Sequence, residues 1–323
     1  MQESLFPNLF KVVSNYYFHH YTVQLQAEEN CSINYFVGDM LRDSFLYACS
    51  EVKIMLGKKE ITLYELLSHH HYQTAANYTK SGCKNKRKGY ALDISTITQK
   101  TYKTNEVVSF GIVLIGKHNQ QLPAVIKSLQ LMTKKRIGKN KFSLQSFSET
   151  NLNGPDNLIY QTNKPIGGTI VKHPITLANF KTATAKKEWL QVNFITPTVF
   201  DDKGYLTGSY PFKTLLQKTI SRIADTAFLF SGTSATQYKA AIPELEKYLQ
   251  QTMMPVRVIN LQWDELVLPG SKEKEALTLR GHTGIVVYTG KFNFYLDMLK
   301  LAEWLQIGDN TTYGFGKIKV LYE

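Results

Sequence analysis

Cysteine is scarce in this chain of 323 residues, and long hydrophobic runs are absent. Cys31, Cys49 and Cys83 lie far apart without a Cys-x-x-Cys pair, so the spacing indicates neither a disulfide framework nor a zinc ribbon. No apolar stretch approaches the about 18 residues that span a bilayer, and the N-terminus lacks a basic start followed by an apolar run. We therefore expect no export signal, no membrane segment and a reducing cytoplasmic location.

Acidic residues are fewer than basic ones. The chain has 26 Asp and Glu against 38 Lys and Arg, a formal net charge of +12 at pH 7. An excess of this sign favours a polyanionic partner. Nucleic acid is the leading interpretation, and an anionic membrane surface is the second.

One pattern of residues occurs twice. Residues 112–144 contain a β-type run, a Gly-Lys turn, an amphipathic run, a glycine turn and a second β-type run, and residues 285–320 contain the same order. A repeat of this length indicates two tandem copies of one small α/β unit rather than a solenoid with short repeats. The length of the chain also fits about two domains.

Periodicity predicts the elements of the first copy. The polar, basic stretch 68–88 is predicted to be an exposed loop. Around it we predict a β-α-β-β-α-β order, with strands at 16–27, 89–94, 106–115 and 141–147 and helices at 36–48, 63–67 and 121–132.

The second copy follows a stretch without sustained period. We predict an N-terminal domain over 1–150, a linker over 151–187 that a short strand at 168–171 interrupts, and a C-terminal domain over 188–323. The second domain is predicted to have strands at 188–194, 256–263 and 283–288 and at the C-terminus, with helices at 212–230 and 294–305. The predicted fold class is α+β: two tandem ferredoxin-like (RRM-like) domains, each a four-stranded antiparallel sheet with helices on one face.

Several motifs resemble a known family. They are the glycine-rich segment 307–318, Phe194-Ile-Thr-Pro-Thr-Val199, Arg222, Leu279-Arg-Gly-His-Thr-Gly-Ile-Val286, Gly38-Asp-Met-Leu-Arg-Asp-Ser-Phe45 and the turn 137–139. In this order they resemble the CRISPR repeat-processing endoribonucleases of the RAMP superfamily. The resemblance implies that two domains flank a basic cleft, where a repeat hairpin of precursor CRISPR RNA is cut without metal or cofactor to give guide RNA.

Metal-free RNA cleavage uses the 2′-hydroxyl of the substrate as the nucleophile. It needs a base, an acid for the departing 5′-oxygen and a cation near the phosphorane, and it leaves 2′,3′-cyclic phosphate and 5′-hydroxyl ends. Histidine suits both proton transfers because its pKa is near neutrality. Relatives commonly carry one near the first strand or first helix, but this first helix has none. The remaining catalytic candidates are His19, His20, His69, His70 and His71, with Tyr35 as a helper.

Two basic clusters and the glycine-rich segment are the candidate RNA contacts. Each basic cluster could instead be a solvated surface. The glycine-rich segment could instead be a tight turn between a helix and a strand. The candidate residues are Lys84, Lys86, Arg87, Lys88, Lys134, Lys135, Arg136, Lys139, Gly308, Thr311, Thr312, Gly314, Gly316 and Lys317.

Two alternative functions remain open. One is a non-catalytic RAMP subunit that coats guide RNA in a CRISPR effector complex, and the other is a general RNA-binding module. The expected partners are CRISPR repeat RNA and CRISPR effector or adaptation proteins, with the protein a monomer or a homodimer.

Overall fold

The computed structural model describes residues 6–33, 36–69, 71–81, 83, 87–163, 171–180, 188–200, 210–250, 254–268 and 277–323. Two antiparallel sheets with helices packed against them make up most of this part, which confirms the α+β class of two tandem ferredoxin-like units. None of the helices in the described ranges is long and apolar enough to cross a bilayer.

The first unit alternates helices and strands along the chain. Its elements are α1 (Pro7–Ser14), β1 (Tyr17–Ala27), β2 (Cys31–Ser32), α2 (Val37–Glu51), β3 (Lys53–Leu56), β4 (Lys59–Thr62), α3 (Leu63–Ser68), α4 (Ala75–Ser81), β5 (Tyr90–Asp93), β6 (Thr101–Tyr102), β7 (Val107–Ile115), α5 (Leu122–Lys134), β8 (Phe142–Glu149), β9 (Asn157–Gln161) and β10 (Ile175–Thr176). A 3₁₀ turn over Gly116–Gln121 joins β7 to α5.

The first sheet has the strand order β5-β7-β1-β8-β9, and β10 pairs with the start of β1. Along β1, Tyr21, Val23 and Leu25 are buried in one core with residues of α2 and α5, while Gln24 and Gln26 lie on the other face. Successive side chains of a strand point to opposite faces of the sheet, so the alternation of apolar and polar residues along β1 buries one of its faces.

The second unit repeats the order of the first. It contains β11 (Trp189–Thr198), α6 (Phe212–Phe230), α7 (Ala235–Gln250), β12 (Val256–Leu268), β13 (Leu277–Thr289), α8 (Asn293–Leu305) and β14 (Ile318–Tyr322). Its strand order, β12-β13-β11-β14, corresponds to β5-β7-β1-β8 in the first sheet. The sequence repeat therefore has a structural counterpart.

The two units share one apolar core. Leu9 and Val13 of α1 and Phe18 of β1 belong to the same buried cluster as Leu216 of α6 and Tyr248 of α7. Glu244 of α7 also accepts a hydrogen bond from the backbone N–H of Leu9 at 2.8 Å. Packing therefore holds the second unit against the first at this end of the molecule.

Several elements differ from the predictions. The predicted exposed loop 68–88 contains α4, and α1 and α7 were not predicted. The interruption of α7 by Pro243 hides its helical period, because proline usually ends a helix. The predicted linker carries β9 and β10, which extend the first sheet beyond residue 150, whereas residues 168–170 of its predicted strand lie outside the described ranges. The domain boundaries stay predictions.

Glu149, at the end of β8, is fully buried and joins four segments of the first unit. Its carboxylate accepts hydrogen bonds from the backbone N–H groups of Lys172 and His173, the Asn157 amide and Nδ1 of His19, the last at 2.7 Å. Burial by itself favours the neutral acid, but these donors hold the pKa of Glu149 below its ordinary value.

Replacing Glu149 by Gln should lower the free energy of unfolding by about 3 kcal/mol, because several buried donors lose their anionic acceptor. The lowered pKa adds stability above the pKa of an unfolded Glu, about 4.3, and this part is lost as the pH falls through the folded pKa. Urea unfolding at pH 7 and pH 4 measures both effects. The matched change at exposed Glu60, Glu60→Gln, should cost little; equal losses in the two variants would contradict this role.

Candidate functional site

The glycine-rich segment follows α8 and turns tightly before β14. Gly308, Gly314 and Gly316 all have positive φ, of 75°, 87° and 83°. A Cβ at Gly316 would lie 1.8 Å from the carbonyl oxygen of Ile307, and one at Gly308 would lie 2.2 Å from that of Val199. These positions accept no side chain, so the segment packs directly on its own backbone and on the chain after β11.

The same segment lies against the first unit. Gly314 packs on Ile94, which would be 2.6 Å from a Cβ at this position. The Gln306 amide donates to the carbonyl oxygen of Leu92 at 2.6 Å. Leu92 lies two residues before Ile94 in the first unit. The glycine-rich loop of the second unit is therefore docked on the end of β5.

The N-terminus of α2 covers the other side of the loop. Gly38 approaches the carbonyl oxygen of Tyr313 so closely that a Cβ there would lie at 1.8 Å. The Arg42 guanidinium lies 4.3 Å from the centre of the Tyr313 ring, and the rings of Phe36 and Phe315 are 5.5 Å apart in an edge arrangement. The motif predicted around Gly38 thus contacts the motif predicted around Gly314.

A buried ion pair connects the loop to the first sheet. Lys317 Nζ lies 2.5 Å from Asp93 Oδ2, and His20 Nε2 lies 3.4 Å from the same oxygen. Although burial opposes ionisation, the close approach of His20 and the charge of Lys317 hold the pKa of Asp93 far below its usual range. His20 also hydrogen bonds Thr150 through Nδ1 at 2.9 Å and packs edge-on against Trp304. It is a buried residue of the junction.

A second charged network lies beneath the loop. Arg87 Nη1 lies 2.7 Å from Asp309 Oδ1, and its Nε lies 3.6 Å from Asp225 Oδ2. Arg222 on α6 donates to the hydroxyl of Thr311 at 3.0 Å. Desolvation lowers the pKa of this buried guanidinium to about 10. The basic stretch before β5 therefore holds the glycine-rich loop through Arg87.

The four predicted histidines within the described ranges fall into two groups. His19 and His20 on β1 are buried, at 5% and 7% exposure. His69 is exposed and His71 is half-buried after α3, with ring centres 5.8 Å apart. Burial first, then the nearby His69 and Lys59, lower the pKa of His71. Tyr35, His70, Lys84 and Lys86 lie outside the described ranges.

The His69–His71 pair and the glycine-rich loop are connected by Arg87 and Lys88, which are consecutive in the chain. Lys88 Nζ donates to the carbonyl oxygen of Ser68, next to His69, at 2.6 Å. Arg87, its neighbour in the chain, is ion-paired with Asp309 of the loop. This contact pattern brings Arg87 and Lys88, the histidine pair and the loop into one region.

The second basic cluster lies elsewhere. Lys134, Lys135, Arg136 and Lys139 are exposed. Lys135 pairs with Glu51, at the end of α2 opposite to Gly38, and Arg136 pairs with Glu29 at 2.5 Å. Fourteen helical residues separate the two ends of α2 by about 20 Å. The cluster is thus remote from the loop and partly neutralised.

A cleft of about 740 Å³ lies between the units. Its described lining is mainly apolar, while residues 269–276, which follow the lining residue Leu268, lie outside the described ranges. Among the described lining residues Lys100 is basic, and most of the others are apolar, including Phe36, Ile97, Ile195 and Leu268. Within the described ranges no three His, Cys, Asp or Glu residues cluster closely enough to hold a metal ion.

Sequence reasoning missed the acidic partners of the site. Asp93, Glu149, Asp225 and Asp309 each hold a basic or histidine side chain here. Of these four acids, Asp309 alone stands in a motif, the glycine-rich segment. The resemblance also named Arg222, but it assigned no partner to this residue. Of the predicted loop contacts, Thr311 is buried beneath Arg222, and Thr312 is half-buried.

Family models cover both halves of the chain. Residues 15–175 match the model AF_1859_N, described as an N-terminal domain, and residues 192–318 match the model described as CRISPR-associated endoribonuclease Cas6. No curated protein has significant sequence similarity to the chain.

Solved structures show the same fold at low identity. The partial Cas6-RT-Cas1–Cas2 complex has a TM-score of 0.55 and 12% identity over 95% of this chain and 46% of that chain. This protein thus spans about half the length of that relative. It covers 29% of the matched chain in the Cas6-RT-Cas1–Cas2 complex. A product complex of a Thermus thermophilus Cas6 has a TM-score of 0.53 and 14% identity over 94% of this chain and 100% of that chain.

Replacing Gly316 by Ala should lower the free energy of unfolding by about 3 kcal/mol or more, because strain at positive φ adds to a clash with backbone. Gly57 provides a matched control, since its φ is also positive, at 64°, but no atom lies within 4 Å of a Cβ there. The loss of unfolding free energy in Gly57→Ala should therefore come from backbone strain at positive φ alone. Urea unfolding compares the two, and similar losses would contradict the close packing of the loop.

Proposed function

Since this chain belongs to the CRISPR repeat-processing family of RAMP fold, with a Cas6 endoribonuclease domain over residues 192–318, we propose that it binds CRISPR repeat RNA and cleaves precursor CRISPR RNA. Cleavage proceeds by attack of the 2′-hydroxyl without metal and gives guide RNA. The observation that carries the proposal is the docking of the glycine-rich loop on the first unit, beside the Arg87-Lys88 segment and the histidine pair.

His71 and His69 are the proposed proton-transfer groups. A base must be neutral at working pH, and the lowered pKa of His71 keeps its imidazole neutral near pH 7. His69 is exposed, and its ring centre lies 5.8 Å from that of His71. Nε2 of His71 is buried and has no hydrogen-bond partner in the described part of the chain, so in this proposal the RNA reaches this unpaired nitrogen on binding. One ring then receives the 2′-hydroxyl proton while the other donates to the departing 5′-oxygen. Lys59, close enough to affect the pKa of His71, supplies positive charge near the phosphorane.

His20 and the charged networks are proposed to position the loop rather than to react. His20 is buried between Asp93, Thr150 and Trp304, where an RNA phosphate has no access. Arg87 forms an ion pair with Asp309, and Lys317 forms one with Asp93, so we assign these two basic residues to holding the loop. The half-buried Thr312 is the proposed phosphate contact of the loop. Gly308, Gly314 and Gly316 are buried, and the N–H groups of Gly314 and Gly316 already donate to the carbonyl oxygens of Thr311 and Pro197, so these glycines shape the loop rather than contact RNA.

The second basic cluster is proposed to contact the RNA away from the cut. Lys134, Lys135, Arg136 and Lys139 form an exposed patch at the far end of α2, where a hairpin longer than the site would reach. Contacts of this kind add affinity that weakens steeply with salt. Variants of this patch should therefore change binding more than the rate at saturating RNA.

A non-catalytic RAMP subunit that coats guide RNA is the second candidate. It is favoured by α2, the helix predicted to be the first, which meets the glycine-rich loop and has no histidine. The burial of His19 and His20 favours it as well. The likeness to a chain of a Cas6-RT-Cas1–Cas2 complex supports CRISPR adaptation proteins as partners in either case. Monomer and homodimer both fit this proposal.

Cleavage of a labelled repeat RNA in EDTA tests the assignment. At saturating RNA, the variant His69→Gln/His71→Gln should cut at least about 100-fold more slowly than wild type, since general acid–base catalysis contributes this much or more. His173→Gln, a half-buried histidine distant in sequence, is the matched control and should keep the wild-type rate. Unchanged cutting by the double variant would refute the pair, and tight binding without any cutting by wild type would favour the structural subunit.

A further inference from the structure

A second pocket lies at the start of β1, formed by elements other than the glycine-rich loop. Its volume is about 520 Å³. The turn before β1, the 3₁₀ turn after β7 and the segment before β10 provide its walls. The lining residues that carry the argument are Asn15, Tyr17, His19, Asn119, Gln120 and Val171.

His19 presents a defined hydrogen-bonding atom to this pocket. Its Nδ1 is 2.7 Å from the Glu149 carboxylate, which holds the ring proton on Nδ1. The second ring nitrogen, Nε2, takes no part in this hydrogen bond. Burial lowers the pKa of His19 more than Glu149 raises it, and a charge on His173 would lower it further. At neutral pH Nε2 is therefore an acceptor, and a ligand meets it with an N–H or O–H donor.

The pocket has one aromatic wall and one polar side chain of fixed orientation. The half-buried ring of Tyr17 stands edge-on to His19, with ring centres 6.3 Å apart. The Asn119 amide donates to the carbonyl oxygens of Leu114 and Gly116 and accepts from the Tyr21 hydroxyl, so its orientation is fixed. An aromatic face beside one aimed acceptor is how proteins recognise an unpaired base.

Charge at the rim favours an anionic ligand. Lys172 lies in the chain between Val171 and Pro174, which both line the pocket, and its side chain is exposed. Its backbone N–H is fixed by Glu149, so the rim is held close to His19. The exposed Gln120 also lines this pocket. A phosphate at this rim would meet positive charge while the base enters the pocket.

We propose that this pocket binds one unpaired nucleotide of RNA, with its base against Tyr17 and a donor of the base or ribose on His19 Nε2. The volume suits a base with its ribose, since small-molecule sites begin at about 300 Å³. The inference rests on the proposed function in that the nucleotide belongs to the bound repeat RNA. His19 is then a binding residue, and the proton transfers remain with His69 and His71.

Calorimetric titration with AMP, CMP, GMP and UMP in turn tests the pocket without requiring cleavage. At least one nucleotide should bind wild type, and Tyr17→Leu should weaken it about fivefold or more, the lower end of base stacking on an aromatic ring. Gln120→Trp, at an exposed position on the rim, should block entry without disturbing the fold. Tyr160→Leu, at a half-buried tyrosine on β9, is the matched control and should bind as wild type.

The two proposals fail separately. The His69→Gln/His71→Gln variant should bind the nucleotide as wild type does, so loss of cleavage alone leaves the pocket standing. Absence of binding by all four nucleotides, or binding that Tyr17→Leu and Gln120→Trp leave unchanged, would overturn the pocket. That result would not affect the cleavage assay.

Discussion

The ion pairs between the glycine-rich loop and the first unit are the interactions on which the site depends. Lys317 lies on Asp93 and Arg87 on Asp309, with most of each basic side chain removed from water. Burying charges is costly, and a pair repays the cost only in close geometry with further hydrogen bonds. Asp93 has these from the backbone N–H and the hydroxyl of Ser95, and Asp225, next to Arg87, has one from Tyr238 at 2.6 Å. A misplaced loop would leave these charges unpaired, so the networks specify one docked position.

Glycine makes this docking possible. Gly308 and Gly316 lie on backbone, Gly314 lies on Ile94, and Gly38 brings α2 onto the loop from the other side. Polar and apolar contacts therefore act together: the ion pairs select the position and the missing side chains permit the approach. The Arg87-Lys88 segment then extends this rigid region to Ser68 and the histidines that follow it.

Patterns local in sequence predicted the fold well, whereas contacts distant in sequence decided the site. The alternation along β1 and the repeated strand-turn-helix order predicted both sheets, because each depends on neighbouring residues. Pro243 concealed α7, since the tertiary core outweighs the local cost of proline in that helix. His19 and Glu149 are 130 residues apart, and no spacing rule pairs them. Adjacent histidines at 19 and 20 point to opposite faces of one strand, so sequence proximity did not predict a shared role.

The most direct test of the account is cleavage of a repeat RNA in EDTA when the nucleotide before the cut carries a 2′-deoxy sugar. The account predicts that the natural RNA is cut to 2′,3′-cyclic phosphate and 5′-hydroxyl ends, and that the deoxy RNA binds equally well but stays intact. Cleavage of the deoxy RNA at the same position, or cutting that requires an added divalent metal, would contradict it.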